Sequence, residues 1–107
     1  MLIKSSVKVN DVVTIRLTTG EEIVGRLKTD SMTSVFLTKP ALLHVQQTPE
    51  GLDVRFGAIL ISGETDEVEF YKTAMHFAPI LTRDEIRTGY QQATSSIVTP
   101  PSGIIKP

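Results

Sequence analysis

Gly25 is the residue that most narrows what this chain can become. It stands inside an alternating stretch, Glu22–Lys28, between Ile23 and Leu27 and on the same face as both. Glycine in mid-strand costs stability, so it marks sharp curvature or a close backbone approach. Five positions earlier Gly20 closes the tight turn Thr18-Thr19-Gly20 and supplies its positive φ. The strand before that turn, Asp11–Thr18, sets Val13, Ile15 and Leu17 on one face and Thr14, Arg16 and Thr18 on the other. That is the period of two of a half-buried strand. Two such strands, with a glycine inside the second, predict a sheet that curls.

The rest of the chain continues the pattern. Thr29–Ser34 is a polar loop around Asp30 and Met32. A third strand follows over Val35–Gln47, in which Pro40 lacks an N–H and so marks a bulge or an edge. Thr48-Pro49-Glu50-Gly51 is a turn. Leu52–Ser62 alternates through Leu52, Val54, Phe56, Ala58 and Leu60 and then becomes apolar on both faces at Ile59 and Ile61, which predicts a fourth strand. Gly63–Asp66 turns the chain into a fifth strand, Glu67–Tyr71, with Val68 and Phe70 inward. Thr82-Arg83-Asp84-Glu85 reads as a capping box, predicting a helix over about residues 82–94. Ser95–Pro107 holds three prolines and reads as a flexible tail. The predicted architecture is mainly all-β: a five-stranded, strongly bent antiparallel barrel over residues 1–76, then a C-terminal extension over 77–107 carrying the helix.

Composition removes several functions. The chain has 107 residues, enough for one domain, and no cysteine, which excludes thiolate and disulfide chemistry. Eleven basic against twelve acidic residues leave a net charge of -1, without the basic surplus that phosphate contacts usually require. Lys28, Lys39, Arg26 and Arg55 read as scattered surface charge. His44 and His76 have no carboxylate in ligand-like spacing, and no nucleophile elbow or phosphate-cradling glycine loop is present. No enzyme activity, cofactor or metal is expected. No stretch is apolar enough for a signal peptide or a membrane span, so the expected location is the cytoplasm.

The stretch Leu17–Leu37 resembles the first motif of the Sm and Sm-like family, on Leu17, Gly20, Gly25, Leu27 and Asp30, with Ser34 in the position of the family's Asn. The second motif, an apolar strand running into Arg-Gly, resembles Ala58-Ile59-Leu60-Ile61-Ser62-Gly63, with Ser62 in the Arg position. The likeness covers Asp11–Tyr71. It implies an Sm fold (an SH3-like barrel) and a homo-oligomeric ring of about five to seven copies, formed by edge-to-edge strand pairing. The fourth and fifth strands would be the edges, with Ile59, Leu60, Ile61, Val68 and Phe70 at the interface. It further implies a non-catalytic RNA-binding or RNA-chaperone module for single-stranded RNA, with Asp30, Met32, Ser34, Ser62 and Gly63 as the nucleotide site.

Three positions depart from the family's chemistry. Met32 offers a thioether where the base stacks, Ser34 has one hydroxyl where Asn has a donor and an acceptor, and Ser62 lacks the planar cation. Glu64, Asp66, Glu67 and Glu69 would add carboxylates near the pore, which repel phosphates. Two functions therefore stay open: RNA binding, or an assembly scaffold that has lost it. The departures and the appended tail suit a phage- or virus-encoded member acting in the host cytoplasm.

Overall fold

The computed structural model describes residues 7–60 and 62–95. Ile61 and the tail from residue 96 onward lie outside the described residues. Six strands form one antiparallel sheet: β1 (Val12–Arg16), β2 (Glu22–Asp30), β3 (Ser34–Thr48), β4 (Gly51–Gly57), β5 (Glu67–Tyr71) and β6 (Ile80–Leu81). A short 3-10 turn, Lys72–Ala74, follows β5, and one helix, α1 (Asp84–Ser95), follows β6. The sheet path runs β4-β3-β2-β1-β6, with β5 attached to β3 off that path. The chain is thus mainly β, with a C-terminal helix. Among the described residues strand pairing does not close the sheet.

The bend is set by two irregularities between β2 and β3. Val24 pairs with Ala41 and Arg26 with Thr38, so Gly25 alone stands opposite both Lys39 and Pro40. This is a bulge, and Lys39 adopts a φ of 51° within it. A second shift falls between Leu27 and Thr29. Gly25 is required there: an added Cβ would lie 3.0 Å from Leu37 Cβ and 3.3 Å from Pro40 Cα. The expected close approach at Gly25 and bulge at Pro40 are both present.

One face of the curled sheet buries Val13, Ile15, Ile23, Leu27, Val35, Leu37 and Met75, with Leu17, Ile59 and Phe70 packed against them. Each such aliphatic burial contributes about 1.5–3 kcal/mol. The opposite face is covered too. Val12, Val24 and Ala41 form a second core with Tyr90 of α1, flanked by Leu43, Phe56 and Ile86. The helix therefore packs on its own sheet.

The bulge also explains a strand boundary that the pattern misplaces. The expected fourth strand, Leu52–Ser62, ends at Gly57. β4 pairs with β3 from Leu42 to Thr48, and β5 pairs with β3 from Ser34 to Thr38, so the two strands share one edge of β3 with the bulge between them. Pro40 has no N–H to donate, and the Lys39 N–H bonds Asp66 O at 2.6 Å. The chain leaves the ladder after Gly57 and rejoins it beyond the bulge at Glu67. Ile59 and Leu60 therefore lie off any strand.

The sheet also runs past residue 76. β6 pairs with β1 (Val13 with Leu81, Thr14 with Ile80), and Met75 bridges Leu17. Thr82 does not cap the helix. Its hydroxyl shares a 2.9 Å hydrogen bond with Thr14 Oγ1, and the first helical bond runs from Arg87 N to Arg83 O.

Candidate functional site

The turn between β2 and β3 carries three of the five residues expected to read a nucleotide. It is held by its own backbone: Ser31 N donates to Ser34 O at 2.9 Å, and Ser31 Oγ accepts from Ser34 N at 3.1 Å. Such hydroxyl-to-backbone bonds fix a turn without a sheet partner. Met32 stands at its tip, 94% exposed.

The polar groups on either side are engaged. Asp30 Oδ1 lies 2.6 Å from Lys72 Nζ, a partly exposed ion pair. Ser34 is 5% exposed, and its hydroxyl donates to Glu69 Oε2 at 2.6 Å. With its one proton spent on a carboxylate, Ser34 keeps no donor for a base edge. Lys72 N also donates to Thr33 O at 2.8 Å, joining the 3-10 turn to this loop.

Among the described residues no hydrogen bond or ion pair joins Ser62 or Gly63 to this turn. Both are exposed on the 58–66 excursion, whose end is fixed where Asp66 O meets Lys39. Asp30 pairs with Val35, four residues earlier on β3, so the two anchors are roughly 13 Å of strand apart. The basic residue the fold delivers beside Asp30 is Lys72. Sequence reasoning missed Lys72, and it set Glu69 among the pore carboxylates rather than against Ser34. For Glu69 the alternation Glu67-Val68-Glu69-Phe70-Tyr71 held the signal, since it sets Glu69 on the face opposite Phe70; Lys72, in the 3-10 turn after β5, had none.

The acidic segment is partly neutralised. Glu67 Oε2 lies 2.6 Å from Lys28 Nζ, and Glu69 accepts from Ser34. Among the described residues no group of three or more His, Asp or Glu is placed to hold a metal ion. Nor is any helix there long and apolar enough to cross a membrane.

The expected interface residues divide. Val68 and Phe70 are half-buried, opposite Leu37 and Val35 of β3, and Phe70 packs into the first core. Ile59 packs there as well. Leu60 is exposed. Among the described residues β4, β5 and β6 each pair with one strand only, and β4 and β6 present exposed apolar side chains: Leu52 is 61% exposed, Ile80 48% and Leu81 53%. Compared with known proteins, the chain matches no family model and no curated sequence.

Proposed function

We propose that this chain is a non-enzymatic Sm-like module, a strongly bent SH3-like barrel that assembles head to tail into a closed ring and serves as an assembly scaffold. The observation that carries this reading is the pair of open sheet ends. Among the described residues β4 and β6 lie at opposite ends of one path, each with a single strand neighbour and exposed apolar side chains. An exposed apolar edge is an aggregation hazard in a monomer and a joint in a ring. The barrel reading is supported by the bend at Gly25 and by the Leu17–Met75 bridge, which draws the end of β5 back to β1. β5 is a poorer joint than β6, because it shares an edge of β3 with β4 and directs Val68 and Phe70 inward.

RNA binding is the second reading, favoured by one observation: Met32 is exposed on a turn tied to Lys72, so a thioether and a cation flank one small surface. Against it stand the spent Ser34 hydroxyl and the Lys72–Asp30 pair.

Light scattering on the full chain separates the outcomes. The wild type is expected to be a defined oligomer at micromolar concentration, and Leu52→Lys and Ile80→Lys to shift it to monomer. A wild-type monomer refutes the ring. The same samples are then titrated with labelled oligouridine and oligoadenosine across a salt series. Micromolar binding with a clear salt slope replaces the scaffold reading with the RNA one.

A further inference from the structure

The fold sorts the four scattered cations into two kinds. Lys28 is paired with Glu67, and Arg55 Nε lies 3.1 Å from Asp53 Oδ2. Arg26 and Lys39 meet no carboxylate among the described residues. Arg26 Nη1 donates to the Asn10 carbonyl at 2.8 Å, which leaves the rest of its fork available.

Both unpaired cations line one cleft of about 300 Å³ between the bulge and α1, together with Thr38, Tyr90, Gln91 and Thr94. Among the described residues no acidic side chain lines it. The bulge brings them together: Arg26 is paired with Thr38, and Lys39 follows at its left-handed φ of 51°. Two uncompensated cations in one concavity raise the local potential and concentrate anions.

We propose that this cleft binds a phosphate oxyanion, held by the Arg26 guanidinium as a planar fork and by Lys39 as a point charge. Gln91 and Thr38 are the other polar residues on its walls beside Thr94 and Tyr90. Tyr90 is 1% exposed, so its ring offers no face for a base to stack on. Recognition is therefore of the phosphate and indifferent to nucleotide sequence. The same chemistry is presented by free phosphate and by the backbone of a nucleic acid.

The full chain, labelled for amide NMR, is titrated with sodium phosphate at constant ionic strength set by sodium chloride, and separately with short oligouridine and oligoadenosine. Saturable shifts of the Lys39, Gln91 and Thr94 amides are expected. Saturation by phosphate alone assigns a free-phosphate site; saturation by both oligonucleotides alike assigns a phosphodiester site. Lys39→Gln weakens binding about 10-fold or more, the effect of losing one charge-assisted contact. Arg26→Gln is the parallel variant with the same expectation. Arg55→Gln, which removes an equal charge from the β3–β4 hairpin, changes affinity less than about twofold. Absence of saturable shifts with every probe overturns the proposal. So do undiminished shifts in folded Lys39→Gln and Arg26→Gln proteins, or shifts confined to Asp30–Ser34. The cleft is separate from the sheet ends, so a failed titration leaves the assembly reading standing.

Discussion

Replacing Tyr90 with phenylalanine tests how the bent sheet tolerates its own bulge. The Tyr90 hydroxyl donates to Lys39 O at 2.7 Å and to Thr38 O at 3.1 Å, the two carbonyls at the break in the ladder. Tyr90→Phe keeps the ring against Val12, Val24 and Ala41 and removes the hydroxyl, both as donor to these carbonyls and as partner of the Arg26 backbone. A buried acceptor left without its partner costs about 1–3 kcal/mol. Because one proton is shared between two carbonyls, the expected loss lies in the lower part of that range, about 1–2 kcal/mol. For a domain of this size that lowers Tm by roughly 5–10 °C. Urea unfolding followed by circular dichroism measures the loss, with an unchanged m-value marking an effect on the folded state. A second arm uses pH. Burial pushes the Tyr90 phenol above its ordinary 10.0, against the nearby Arg26 guanidinium and a backbone hydrogen bond from Arg26, both of which pull it down. The folded protein keeps this proton where the unfolded chain has released it. The contribution is complete below pH 10 and is lost as pH rises from there through the folded value, so the gap between wild type and Tyr90→Phe narrows on the alkaline side. A Tyr90→Phe protein within about 0.3 kcal/mol of wild type at neutral pH refutes the claim that this hydroxyl secures the bulge.

Gly25→Ala places a Cβ 3.0 Å from Leu37 Cβ and 3.1 Å from Leu37 Cδ1, so stability should fall by about 1–3 kcal/mol in urea, and a loss under about 0.5 contradicts the close approach. Ser34→Ala leaves Glu69 without its buried donor and should cost about 1–2 kcal/mol by the same measurement. If Ser34→Ala instead raises oligouridine affinity at unchanged stability, the Ser34–Glu69 bond is a lock on a nucleotide pocket rather than a support for the turn.

The features visible in the sequence are those set by neighbours in the chain. The alternation of β1, the turn glycine at Gly20, the strained approach at Gly25 and the missing N–H of Pro40 are local, and all four appear in the fold. What depends on distant segments was hidden. Val12, Val24 and Ala41 look like the solvent side of their strands until α1, more than 40 residues away, covers them. Ala58-Ile59-Leu60 has the composition of a strand but stands opposite a bulge that offers no ladder. Thr82 has the spacing of a helix cap, yet Thr14 across the sheet claims its hydroxyl. At the candidate site the turn residues were legible, whereas the cation beside them comes from Lys72, which the glycine and apolar motifs do not mark.

The bulge also dictates when this protein can finish folding. Thr38 and Lys39 are made early in synthesis, yet the hydroxyl that satisfies their carbonyls lies 51–52 residues further along the chain. The outer edge of β1 waits across a longer stretch of chain, since Val12 O is met by Thr82 N. A nascent chain ending before α1 has the strands of the sheet but an open seam at its sharpest bend, and an apolar face with nothing over it. Such closures over long sequence separations are slow. Until Tyr90 arrives, Val24, Ala41 and Phe56 are free to find another chain, so the helix that looks appended to the sheet works as its final clasp.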